Sequence, residues 1–127
     1  MQDFKNIVAW QRAHELTLAV YQHTRTFPSE ERFAMQSQMR RAAFSIPANM
    51  AEGSRRRSDR DFFRFLEIAA DSLKEPQYFV ILATDLGYFS IQLKAELEAQ
   101  MGQTFAPLIG LMKHIEISSP QASSSKP

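Results

Sequence analysis

Cysteine is absent from the 127 residues. That excludes disulfide staples and thiolate chemistry, and it is compatible with a reducing compartment. Glycine is scarce, at four residues, and proline numbers six, so long stretches lack helix breakers. No uncharged apolar run approaches the ~20 residues needed to cross a bilayer. The opening MQDFKNIVAWQRAHEL mixes charges and has no apolar core ending in a small-residue cleavage site, so no secretory leader is expected. A cytoplasmic protein without a membrane partner is the expectation. Net charge is small as well, at +1. The chain is not a polycation, and any argument for nucleic acid must rest on local clustering.

Reactive motifs are missing too. There is no glycine-rich phosphate loop and no His-Glu-x-x-His pair. His14-Glu15 has no second histidine at the needed spacing, and His23 and His114 are distant in sequence. No Glu-x-x-His pair of the di-iron bundle type occurs. Ser45 and Ser72 lack a nucleophile context. The expectation is a non-enzymatic protein with no metal and no cofactor.

What is present is helix. Hydrophobic residues make up 44% of the chain, enough for the core of one domain. Apolar residues recur three to four apart in four segments. The first runs from about Val8 to Thr26, and the second from about Glu30 to Glu52 with Ser29 as its cap. The third starts after a Ser58 cap and reaches about Leu86, and the fourth follows a Ser90 cap. Pro47 and Pro76 are expected to bend their helices. Gly53 and Gly87 are expected to terminate theirs. Short connections predict an all-α, antiparallel up-down-up-down four-helix bundle over residues 1–117. Residues 118–127 read as a polar, disordered tail.

The most informative stretch lies between Arg40 and Arg64. Seven arginines occur there, namely Arg40, Arg41, Arg55, Arg56, Arg57, Arg60 and Arg64, against Glu52, Asp59 and Asp61, a local balance of about +4. Guanidinium groups form fork-like hydrogen bonds to phosphate. These seven are the candidate nucleic-acid-binding residues, centred on an elbow at Gly53–Arg57. The plain alternative is a solvated surface with ion pairs to Asp59, Asp61 and Glu67. Arg40 and Arg41 also suit a structural role beside the core, with Glu52, Asp71 and Glu75 as partners. Tyr78, Phe79, Phe63 and Phe89 are candidates for a subunit contact.

The blocks VAWQRAHELTLAVY, FPSEERF, QSQMRRAAFSIPANMAEGSRR, FFRFLEIAADSLKE and ILATDLGY resemble the family named for 23S rRNA intervening sequences, also called the S23 ribosomal protein family. The resemblance covers roughly Phe4 to Ile115, and its most specific part is Gln38 to Ser54. It implies a small helical bundle that assembles as a homopentamer and has no established enzymatic activity. It also makes the chain similar to accessory proteins of diversity-generating retroelements, which bind nucleic acid and a reverse transcriptase. RNA or DNA, a protein partner and further copies of the chain are therefore the expected partners. After Glu75, relatives continue with a leucine, an acid and a small polar residue. This chain has Pro76-Gln77-Tyr78 instead, which bears on the straightness of the third helix. Two readings stay open: a nucleic-acid-binding or accessory oligomer, and a homo-oligomeric scaffold or protein-interaction module that binds no nucleic acid.

Overall fold

A computed structural model describes residues 3–123. A 3-10 turn over Phe4–Asn6 leads into α1 (Val8–Thr24). Four further helices follow: α2 (Met35–Ser54), α3 (Asp59–Ser72), α4 (Lys74–Asp85) and α5 (Ile91–Ser118). Only Leu73 separates α3 from α4, so the two form one interrupted rod. The molecule is an all-α four-helix bundle, as the periodicity predicts, with no strand among the described residues. Thr17 meets Ala43 and Thr24 meets Arg40, so α1 and α2 run in opposite directions. Ser119, just past α5, meets Asp59 at the start of α3, which opposes those two rods as well.

The second helix starts later than its pattern suggests. Ser29–Glu31 is a 3-10 turn, and Ala34, at φ −114° and ψ −104°, breaks the path before Met35. Ser29 therefore does not cap α2. Pro47, by contrast, lies inside an unbroken helix. A proline cannot donate to the carbonyl four residues back, which frees the oxygen of Ala43. Thr17 Oγ1 of α1 lies 3.3 Å from that oxygen and 2.8 Å from Ala13 O, and shares its proton between them. The neighbouring helix thus supplies the donor that Pro47 withholds.

Pro76 acts differently. It is the third residue of α4, and the regular α-helix lapses at Leu73. A proline is tolerated in a first turn, where the amides have no helical partner. The rod is divided there and stays buried, with Leu73, Pro76 and Val80 inside. Gly87 closes α4 at φ +82°. Tyr88 N donates to Ala83 O at 2.8 Å and Gly87 N to Thr84 O at 3.0 Å, a Schellman pattern that requires a left-handed residue.

Gly53 does not terminate α2. The helix continues through Ser54, and Gly87 is the one glycine with positive φ among the described residues. Its role is close approach. A Cβ at position 53 would lie 2.5 Å from Phe65 Cβ and 3.2 Å from Phe62 Cδ1. The missing side chain lets α3 cross the end of α2 at that point.

Leu16, Met39, Ile46, Met50, Leu66, Leu73, Val80, Leu97, Met101 and Leu108 fill the core. Each such side chain contributes roughly 1.5–3 kcal/mol when fully buried. Phe63 and Phe89 belong to this core as well, with Phe89 at 5.3 Å from the Phe27 ring. They leave the set of candidate subunit contacts because they are already covered. Beyond α5, Ser119 bonds to Asp59 and Ala122 is buried against the core, so packing continues past position 117. The rest of the expected tail, residues 124–127, lies outside the described residues.

Candidate functional site

The elbow is built by two helix ends. At the close of α2, Arg55 N donates to Glu52 O at 3.3 Å and Arg56 N to Gly53 O at 3.0 Å, which tightens the last turn. Ser58 then adopts an extended conformation, and its Oγ accepts from Asp61 N at 3.1 Å. This is the serine cap that the sequence predicts, and it starts α3 directly after the arginines. Arg55, Arg56 and Arg57 lie between these two helix ends. All three are exposed.

The arginines are not equivalent. Arg56 Nη2 lies 2.8 Å from Glu52 Oε2, and its Cζ sits 4.7 Å from the centre of the Phe65 ring. It is held on two sides. Arg55, Arg57, Arg60 and Arg64 are exposed, and none has a carboxylate within 4.0 Å among the described residues. Asp59 accepts instead from Ser119 Oγ at 2.6 Å. The ion pairs that would have absorbed this patch into Asp59, Asp61 and Glu67 are not formed there.

Arg40 and Arg41 stand apart from the elbow. Arg41 lies fourteen positions before Arg55, roughly 20 Å along the helix axis. Arg40 is committed elsewhere: its Nε donates to Thr24 Oγ1 at 2.9 Å and its Nη2 to Tyr21 O at 3.2 Å. Its Cζ lies 4.6 Å from the centre of the Tyr21 ring. Gln36 Nε2 donates to Thr24 O at 2.7 Å. Together Arg40 and Gln36 satisfy the open carbonyls at the end of α1, where a positive charge also suits the helix dipole. The structural role expected of Arg40 is present, but its partners are a hydroxyl, a carbonyl and a ring rather than a carboxylate. Arg41 is exposed on the opposite half of α2 from the elbow.

A cleft of about 450 Å³ opens beside the elbow. Arg56, Arg57, Ser58 and Asp59 form one wall. Phe62 of α3 and Leu111 and Ile115 of α5 give it an apolar floor, and His114 and Ser118 of α5 form the far wall.

Residues 5–110 match the model of the 23S rRNA-intervening sequence protein family. The chain belongs to this family. The chain also has a structural relative, a protein of unknown function from the S23 ribosomal protein family of Bacteroides thetaiotaomicron VPI-5482. The two superpose with a TM-score of 0.73 at 23% identity, over 84% of this chain and 99% of the other. At that identity the likeness bears on the fold. No curated protein matches the chain.

Five of the seven arginines singled out in sequence lie at the elbow and along α3, and two do not. The α5 contribution to the site went unseen in sequence. Leu111 and Ile115 fall on an apolar stripe that spacing reveals, but nothing local to His114 or Ser118 marks them as neighbours of residues near position 57.

Proposed function

We propose that this protein is a non-enzymatic, homo-oligomeric nucleic-acid-binding protein of the cytoplasm that grips phosphate through its arginine elbow. The observation that carries this reading is the uncompensated charge. Arg55, Arg57, Arg60 and Arg64 are exposed and have no carboxylate partner among the described residues. Unpaired guanidinium groups next to a helix start suit phosphate oxygens. The family name supports an RNA setting, since it refers to insertions in 23S rRNA. The resemblance to retroelement accessory proteins adds a reverse transcriptase as a candidate protein partner.

Phosphate neutralisation releases counterions, so affinity falls with salt by a slope of about 0.7–0.9 per phosphate contact. The R55A/R57A double variant is expected to weaken binding to structured RNA and to reduce that slope by about 2, with oligomer mass unchanged by sedimentation. Equal affinity of the variant and the parent chain at low salt would overturn the elbow assignment.

A second reading, a scaffold without nucleic acid, is favoured by exposed apolar side chains on α4. Tyr78 is 58% exposed and Ile81 42%. On that reading no RNA binds at low salt, and R55A/R57A instead lowers oligomer mass or partner capture.

A further inference from the structure

The cleft beside the elbow combines features that a bare phosphate contact does not need. Its volume, about 450 Å³, lies in the range of small-molecule pockets, roughly 300–1,000 Å³. A phosphate on a flat arginine surface would require no apolar floor, yet this cleft has Phe62, Leu111 and Ile115 beneath it. Phe62 and Leu111 are only partly buried, so both keep surface for a ligand. The cationic wall is also partly preset: Arg56 is fixed by Glu52 and Phe65, while Arg57 remains free. One acid, Asp59, faces the same space, and its Oδ2 is already engaged by Ser119. Arginines at the edge and apolar carbon below match an amphipathic anion with a flat apolar part.

We infer that the elbow cleft holds one unpaired nucleotide, with its phosphate on Arg56 and Arg57 and its base over Phe62 and Leu111. This rests on the phosphate-binding reading above and makes it more specific. The arginines attract any phosphate backbone, and the cleft selects a strand that can turn a base inward. A paired base stays in its stack, and extracting it has an energetic penalty that a single strand avoids. Single-stranded segments are therefore preferred over duplex of similar charge. His114 and Ser118 of α5 line the same cleft opposite the arginines.

The test compares a labelled single-stranded oligoadenylate of about 12 nucleotides, within the usual site sizes for single strands, with an RNA duplex of similar length, by fluorescence anisotropy at low salt. The full chain is expected to favour the single strand by about tenfold, the size of one base stacked on an apolar or aromatic side chain. Ser118→Trp, which fills the cleft without changing charge, should abolish that preference and leave duplex affinity unchanged. His114→Ala, an exposed position, serves as a second variant and should reduce the preference severalfold. Should the parent chain bind both polymers equally, or should both variants keep its preference, the cleft holds no base, while the elbow reading survives. Should neither polymer bind, the elbow reading fails and the cleft assignment fails with it.

Discussion

A methyl group on Gly53 would press against Cβ of Phe65, an atom that cannot rotate away because it is fixed to the α3 backbone. Helix propensity alone favours Gly53→Ala by about 1 kcal/mol. Overpacking opposes it by roughly 1–3 kcal/mol, and here the obstruction is rigid, so overpacking wins. Gly53→Ala is expected to lower the stability measured by urea unfolding, whereas the same change at Gly102, where nothing lies within 4 Å of the added carbon, should raise it slightly. A stabilised G53A chain would show that α3 can withdraw freely. Phe65 has two tasks at this point, since it sets the helix approach and supports the Arg56 guanidinium. Reading residues in sequence, a glycine before three arginines looks like a terminator. The reason it must be glycine comes from a helix that starts later in the chain.

Helices in this bundle complete one another's hydrogen bonds. Thr17 of α1 covers the Ala43 oxygen that Pro47 leaves open in α2. Thr17→Val removes that donor and should cost about 1 kcal/mol, the lower range for a buried polar group left unmatched. In a P47A background residue 47 regains an N–H, and the same substitution should cost less. Additive effects in this double-mutant cycle would separate Thr17 from Pro47. Past the end of α4, Tyr88 donates its hydroxyl to Glu31 Oε2 at 3.0 Å. This hydrogen bond, followed by burial and by the charges of Glu31 and Glu30, raises the Tyr88 pKa above its ordinary value. The bond's contribution to stability is thus fully present below the unfolded pKa of about 10. It is lost as pH rises through the higher folded pKa. The gap in Tm between the parent chain and Tyr88→Phe should hold from neutral pH to about 10 and shrink above it. A gap that stays constant through strongly alkaline pH would separate the tie from titration of Tyr88.

Apolar spacing revealed the helices and their caps at Ser58 and Ser90 because those signals are local. The partners of Arg40, the division of the third rod at Leu73, and the α5 wall of the cleft depend on contacts between distant segments. Pro47 and Pro76 show the difference well. Both break the same local rule, yet one lies in a continuous helix with help from a neighbour, and the other falls in a first turn.

At the scale of the whole molecule, the elbow's effect depends on how many copies act together. Tyr78 and Ile81 are three apart on α4 and share a face, and both are substantially exposed. Single exposed apolar residues are ordinary, but this pair lies on the α3–α4 rod, which also exposes Ile68. On the proposed reading, that rod meets another copy of the chain. The Y78S/I81S variant should then sediment at lower mass than the parent with its helical circular dichroism intact. A parent chain that sediments at 14.6 kDa in the micromolar range would end the oligomer reading. Association also bears on RNA affinity. Linked sites can exceed the single-site affinity by about 10²–10⁴ when one ligand spans them. Y78S/I81S keeps every elbow arginine, so it should bind an RNA too short to bridge two elbows as the parent does. It should lose most of its affinity for a long RNA. Equal losses on short and long RNA would instead mean that the α4 face contacts the nucleic acid directly.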